Sequence, residues 1–308
     1  MNTDPTRQPT LGVIAIAKNE ERDLPRFLQH LMPWVDEIVV VDDGSTDRSV
    51  LLLQAAGTKV RLLERSMRPE EGFAGQRNAG IALARSDWLL HMDIDERVTP
   101  QLASEIRAVI GRTRLNAFRY RRLNFFLHRP MRAGGWQHWN HPQLARRGRH
   151  RFMNLVHEDC VIDGGEAMTG QLAAQMWHLN DEDYMERVTK NLRYTPPTGE
   201  ALLARGITVR WYHLLFHPLA RALRAYFLDG AWRAGTRGLL FSLYTFTSSF
   251  NWWAYAWDKQ QRVPREELEK QLSDLWSAAN RGVRVSRGPG DNGADTQPES
   301  SIAREGRV

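Results

Sequence analysis

The sequence predicts an α/β protein organised around a mostly parallel sheet. Two observations lead there. Short apolar runs of strand length recur over the first hundred residues: LGVIAIA (11–17), EIVVVDD (37–43), the weaker KVRLLE (59–64) and DWLLHMD (87–93). The intervals between them carry apolar residues at helical spacing. Strands alternating with helices imply βαβ units and a sheet covered on both faces.

After the first run, Leu24, Phe27, Leu28 and Leu31 fall on one helical face. Val50, Leu53 and Ala56 predict a second helix, with Ser45 and Thr46 as candidate caps. Ile81 and Leu83 lie in a third helical stretch beginning after Gly72. Thr99 and Pro100 read as the N-cap and first residue of a fourth, TPQLASEIRAVI. Around Gly111 the character changes. Residues 112–180 are rich in Arg, His and Trp, with turn signals at Gly134–Gly135 and Gly164–Gly165, and predict short strands and loops. From Asp181 the pattern is helical again, with breaks expected at Pro196–Pro197 and Pro218. Residues 265–277 predict a last amphipathic helix, and 281–308 have too little to bury to order. The expected organisation is a ligand-binding half (10–110), a half of short strands and loops (111–180), a helical extension (181–280) and a disordered tail (281–308).

The 308 residues carry 42 Lys and Arg against 36 Asp and Glu, a formal charge of +6. The excess is local: residues 112–151 hold eleven arginines and no acidic residue. Such a field suits a polyanionic partner. The single cysteine, Cys160, excludes an intramolecular disulfide and a cysteine-based zinc site. The first ten residues contain no apolar segment of the export type, so a cytoplasmic location is expected. No G-x-G-x-x-G follows the first strand, which argues against a dinucleotide oxidoreductase. Nucleic-acid binding is disfavoured because acidic strand ends would face the polyanion.

Ligands of open parallel sheets bind at the carboxyl ends of the strands. Three acidic clusters fall there: Lys18-Asn19-Glu20-Glu21, Asp42-Asp43-Gly44-Ser45-Thr46-Asp47 and Asp93-Ile94-Asp95-Glu96. Crowded on one edge they would repel, and a bound metal or ligand donors would relieve that. Asp93 and Asp95, two apart in an extended segment, point to the same side and can share a divalent cation such as Mg²⁺ or Mn²⁺. The plainer alternative is a solvated acidic turn capping the next helix.

The segments VIAIAKNEERDLPRFL, EIVVVDDGSTDRSV, GFAGQRNAG and WLLHMDIDERVTPQL, in this order and spacing, resemble the family 2 glycosyltransferases of the GT-A fold. The elements LVHED and MWHLN resemble a branch that includes lipopolysaccharide-core beta-glucosyltransferases. The text Gln143-Leu144-Ala145-Arg146 departs from that branch and leaves the acceptor open. The resemblance implies a GT-A, Rossmann-like sheet, a nucleotide-sugar donor, UDP-linked, and a divalent cation. Ala17, Asn19 and Glu20 would line the nucleotide pocket. Asp42 would read the uracil or its ribose, and Asp43 would support that loop. Arg77 would approach the phosphates, Asp93 the ribose or a metal-bound water, and Asp95 would ligate the metal. Simpler roles exist for several of these: Asn19 as a helix cap, Asp42 as a turn builder and Arg77 as a surface residue.

The resemblance also implies inversion, which needs one carboxylate to take the acceptor proton. Glu158 in His157-Glu158-Asp159 is the first candidate for that base and Asp159 the second; an acidic pair on a strand edge is the alternative. His178 is either a third metal ligand or diphosphate contact, or a core histidine.

Residues 205–240 carry six arginines against Asp229, and 238–257 carry no charge but eight aromatic residues. The uncharged run is long enough to span a bilayer, yet six of its residues are Ser, Thr or Asn. Lying at an interface is favoured over core or spanning roles. The expected partner is an anionic membrane, contacted peripherally at the inner face of the cytoplasmic membrane, and the expected acceptor a glycolipid or lipopolysaccharide-type molecule.

Overall fold

The computed structural model describes residues 7–153 and 159–285, with side chains described to residue 279. Two compact units emerge, 1–257 and 258–308.

The first unit is built on a mixed sheet. Strands β1 (Leu11–Ala17), β2 (Glu37–Asp42), β3 (Val60–Glu64) and β4 (Trp88–Asp93) form its parallel part, in the order β3-β2-β1-β4. Helices α1 (Leu24–Leu31), α2 (Ser49–Ala55) and α3 (Gly72–Leu83) supply the crossovers. β1 and β2 are buried along nearly their whole length, which is why they read as continuous apolar runs rather than alternating ones. After the short β5 (Glu96–Val98) and α4 (Pro100–Ile110) come β6 (Ala117–Phe126), β7 (Arg129–Pro130), β8 (Asn140–Arg146), β9 (His150–Met153), β10 (Asp159–Ile162) and β11 (Thr169–His178). β8 joins the sheet antiparallel to β4, and the order continues β8-β6-β11-β5. β9 and β10 form a separate antiparallel pair. The architecture is α/β of the GT-A type, and the mixed strands continue the sheet that the parallel half begins.

Local signals explain the starts of elements unevenly. Thr99 caps α4 as expected, its hydroxyl accepting from Leu102 N at 3.2 Å. Ser45 and Thr46 do not cap α2, which begins later at Ser49 without a side-chain cap. They are used by the ligand edge instead. Gly80 lets α3 lie close on β1: a Cβ there would meet Ile14 Cγ2 at 2.6 Å.

The expected proline breaks do not occur. α5 (Tyr184–Ala204) runs through Pro196 and Pro197, and α6 (Trp211–Leu223) through Pro218. Each proline removes one backbone donor, but Thr195 and Gly199 are buried on either side of the pair, Gly199 close against Tyr255. Beside the pair, the Thr195 and Thr198 hydroxyls donate to the carbonyls of Asn191 and Tyr194, at 3.0 and 2.8 Å. A π-helical turn, Arg224–Leu228, follows α6.

The aromatic run 238–257 falls inside one helix, α7 (Thr236–Gln261). Its buried side presents Phe241, Ser248, Ser249 and Trp253, while Leu239, Leu243, Phe250 and Trp257 face outward. No helix among the described residues is long and apolar enough to cross a membrane. In the second unit, α8 (Arg265–Val285) extends eight residues beyond the predicted helix.

Candidate active site

Pairing register builds the site. Ala17 on β1 stands opposite Asp42 on β2, and Ile16 opposite Asp93 on β4, so the acidic strand ends share one edge. The loops leaving β1 and β2 are laced together. Asn19, in the left-handed region at φ 57°, accepts from Thr46 N at 2.7 Å and donates its own N–H to Ser45 Oγ at 2.8 Å. Glu20 N donates to Ser49 Oγ at 2.8 Å. Asn19 is therefore a bridge between loops and does not cap α1. The buried Asp42 carboxylate accepts from Ser45 N and Ser45 Oγ, so it does build the turn. Asp43 accepts from Met67 N and pairs with Lys18 at 2.9 Å.

Asp93 sits between two arginines. Arg77, from α3, reaches it at 2.8 Å and is itself buried, so it is not a surface residue. Arg122, from β6, reaches it at 2.9 Å, also pairs with the fully buried Glu96, and lies over the Trp139 ring at 3.9 Å from its centroid. Burial opposes ionisation of Asp93, but Arg122 and Arg77 outweigh it and hold the carboxyl far below the usual range. At Asp93 the expected repulsion among acidic ends is thus relieved by the protein's own cations.

Asp95, in the turn after β4, faces His178 Nε2 at 3.3 Å. His178 ends β11, opposite Glu96 on β5 and Asn124 on β6. Its Nδ1 meets Asn124 Oδ1 at 2.8 Å, and Asn124 Nδ2 donates to the Trp136 carbonyl at 3.4 Å. That chain assigns the Nδ1–H to the amide oxygen and turns Nε2 toward the carboxylates, as a buttressed metal-binding histidine requires. One ligand atom each from Asp93, Asp95 and His178 lies within 4.8 Å of the others. Burial works against both charges of the His178–Asp95 pair. Their mutual attraction prevails, raising the imidazole and lowering the carboxyl. Glu20 lies near enough that burial first, then Asp95 and Asp23, push its carboxyl up to about 7. Two carboxylates and one imidazole are a donor set that fits a divalent cation.

The sequence reading missed Arg122 and Asn124 and named Glu96 only as part of an acidic cluster, without a role. A signal for Arg122 and Asn124 exists. In β6 the buried phase runs Phe118, Tyr120, Arg122, Asn124, Phe126, so a cation and an amide interrupt an otherwise apolar row. The base candidates fare differently: Asp159 begins β10, exposed and paired with Met153 of β9, while Glu158 lies outside the described residues.

A family model described as Glycosyl transferase family 2 matches residues 12–162, the span holding every strand end above except that of β11. The lipopolysaccharide core biosynthesis glycosyltransferase LpsC of Rhizobium meliloti (strain 1021) is 27% identical over 271 residues, covering 85% of this chain and 97% of that protein. An uncharacterized glycosyltransferase of Rickettsia bellii (strain RML369-C) is 30% identical over 101 residues, one third (33%) of each chain. Among solved structures, S. aureus TarS 1-349 in complex with UDP-GlcNAc aligns at a TM-score of 0.45 and 14% identity, covering 82% of this chain and 92% of that one. The acidic strand ends lie inside the matched span, and residues 12–162 of this chain form a family 2 glycosyltransferase domain.

Proposed function

We propose that this glycosyltransferase is metal-dependent and inverting, and moves a sugar from a UDP-linked donor to a lipopolysaccharide-core or related cell-envelope glycolipid at the inner face of the cytoplasmic membrane. The observation that carries the donor half is the convergence of Asp93, Asp95 and His178 beside the ends of β1 and β2. The acceptor class draws on the Rhizobium meliloti relative, whose name assigns it to lipopolysaccharide core biosynthesis.

In this reading Ala17, Asn19, Glu20, Asp42 and Asp43 hold the nucleotide. The lacing of Asn19 to Thr46 and of Asp42 to Ser45 fixes their positions before the donor arrives, which limits the entropy lost on binding. Arg77 orients Asp93 and adds positive potential where the diphosphate would lie. Asp95, Asp93 and His178 would hold the cation; one nitrogen among oxygen donors tilts the choice from Mg²⁺ toward Mn²⁺. When bound, the cation supplies Lewis-acid stabilisation of negative charge on the departing diphosphate. The acceptor hydroxyl loses its proton to Glu158 or, failing that, Asp159, while its oxygen attacks the anomeric carbon from the face opposite the leaving group.

Two measurements test this. Mn²⁺ titrated into the protein should lose its free-ion paramagnetic resonance signal, and Asp95→Asn or His178→Ala should restore it. Sugar transfer to a lipid extract should need Mn²⁺ and fail in Glu158→Gln, with donor binding intact. Undiminished transfer in EDTA refutes metal dependence. Loss of transfer in Asp159→Asn but not Glu158→Gln moves the base by one residue.

A further inference from the structure

The helices after β11 leave a large apolar surface outside the core. At 3.6 residues per turn, Trp211, Tyr212, Leu215, Phe216, Leu219 and Leu223 of α6 fall within about 140° of arc. All six are exposed, Trp211 to 70%. The opposite side of α6 is the one that packs: His213 and His217 stack on Trp253 of α7 at 4.9 and 4.7 Å, and Arg221 lies over Trp252 at 5.1 Å. Leu214 completes the inward side against Val209, Trp253 and Ala256. The outward side carries no charge. The chain continues into Phe227, Leu228 and Trp232, of which Leu228 is 82% exposed. Monomeric proteins rarely leave so many large apolar side chains exposed together unless something covers them.

Charge selects the occupant. Residues 205–257 hold six arginines and one acidic residue, Asp229, which Arg224 approaches at 3.5 Å. Beside that uncharged side Arg233 lies over the exposed Trp232 ring at 5.2 Å and the Arg224 side chain is 71% exposed, so a second copy docked there would set like charges against them. An anionic surface neutralises them while the aromatic residues sit at headgroup depth. No described helix is long and apolar enough to cross a bilayer, and an element with one apolar side suits the plane of an interface.

We infer that α6 and the following Arg224–Ala234 segment form an interfacial docking surface for an anionic lipid bilayer. This differs from the sequence expectation in one respect. The aromatic run 238–257 spends Phe241 and Trp253 on the core, and the more exposed apolar face belongs to α6 and Phe227–Leu228. The inference deepens the glycolipid-acceptor reading and rests on it for its purpose, because a docked enzyme meets its acceptor at the bilayer surface.

The test is vesicle flotation of the full chain. Wild-type protein should float with phosphatidylcholine vesicles containing phosphatidylglycerol, and far less with pure phosphatidylcholine. Trp211→Ser combined with Leu228→Ser should lower partitioning by roughly tenfold or more at any salt. Arg205→Glu combined with Arg233→Glu should do so mainly at low salt. Both pairs should keep wild-type circular dichroism and wild-type hydrolysis of a soluble donor. No flotation, equal flotation with neutral vesicles, or unaltered flotation of the Trp211/Leu228 pair overturns the inference. So does self-association of the wild type that the same pair abolishes, which assigns the face to a second copy. Failure of donor hydrolysis with flotation intact overturns the donor reading and leaves the surface standing.

Discussion

The parallel half of the sheet and the helices α5–α7 use apolar residues in opposite ways. In β1, β2 and β4 nearly every apolar side chain is buried, and polar residues wait at the strand ends. In α6 Pro218 alone is buried, and most large apolar residues face outward. The first region has stability as its main requirement and function at its rim. The second spends apolar surface on something outside the core. Substitutions should therefore divide the two regions sharply.

The largest stability effect should come from Arg122→Ala. It strips the cation from the fully buried Glu96 and from Asp93, and breaking a buried pair costs about 3–5 kcal/mol. Chemical denaturation would read this as a fall in midpoint at unchanged slope. A loss below about 1 kcal/mol, the range of surface pairs, would show that Glu96 is held neutral without Arg122.

Asp95→Asn should leave the denaturation midpoint close to wild type yet lower turnover by about 10²–10³-fold, the scale of losing one strong charge-stabilising contact. Turnover within a few-fold of wild type would remove Asp95 from the machinery and leave it a turn residue.

Acid should act on the sheet half through its buried histidines. Burial lowers His91 and His150, whose Nε2 atoms meet at 2.8 Å, and pushes His30 down to about 4. Below about pH 6.5 the unfolded chain gains protons that these histidines refuse in the fold. The part of the stability that these histidines carry should therefore be complete above that pH and fall as pH drops toward 4, while the raised carboxyls of Glu20 and Glu96 act in the opposite sense. His30→Gln should reduce the histidine part of the loss. An unchanged slope in that variant would assign the acid sensitivity to the His91–His150 pair.

The smallest effect on stability should be at the outward face. Leu219→Ser, at a side chain 39% exposed, should shift the midpoint by no more than about 0.5 kcal/mol. A loss of about 2 kcal/mol would show that α6 is packed on both sides in solution, and the contrast between the regions would fail.

Much of the donor half was legible in the sequence because its signals are local. A parallel strand buried on both faces must be apolar throughout, so β1, β2 and β4 announce themselves, and chain chemistry puts their polar ends on one edge. Thr99 and Pro100 marked α4 for the same reason. The proline positions misled because a helix end predicted from Pro196–Pro197 or Pro218 ignores contacts on either side of the proline, such as the burial of Thr195, Gly199 and Pro218, which outweigh the missing N–H groups.

The sequence by itself determined the strand order's raw material, the acidic rim and the basic, aromatic character of the C-terminal region. Only the tertiary structure decided which residues meet. His178 reaches Asp95 from 83 positions away because β11 pairs with β5 and β6, and Arg122 reaches Asp93 because β6 enters the sheet beyond β8. Tertiary packing likewise turned one side of α6 onto Trp253 and left the other in the open. Periodicity records that a side chain has a face, whereas long-range pairing chooses what the face meets; that choice depends on contacts between residues far apart in the chain, which no local pattern encodes.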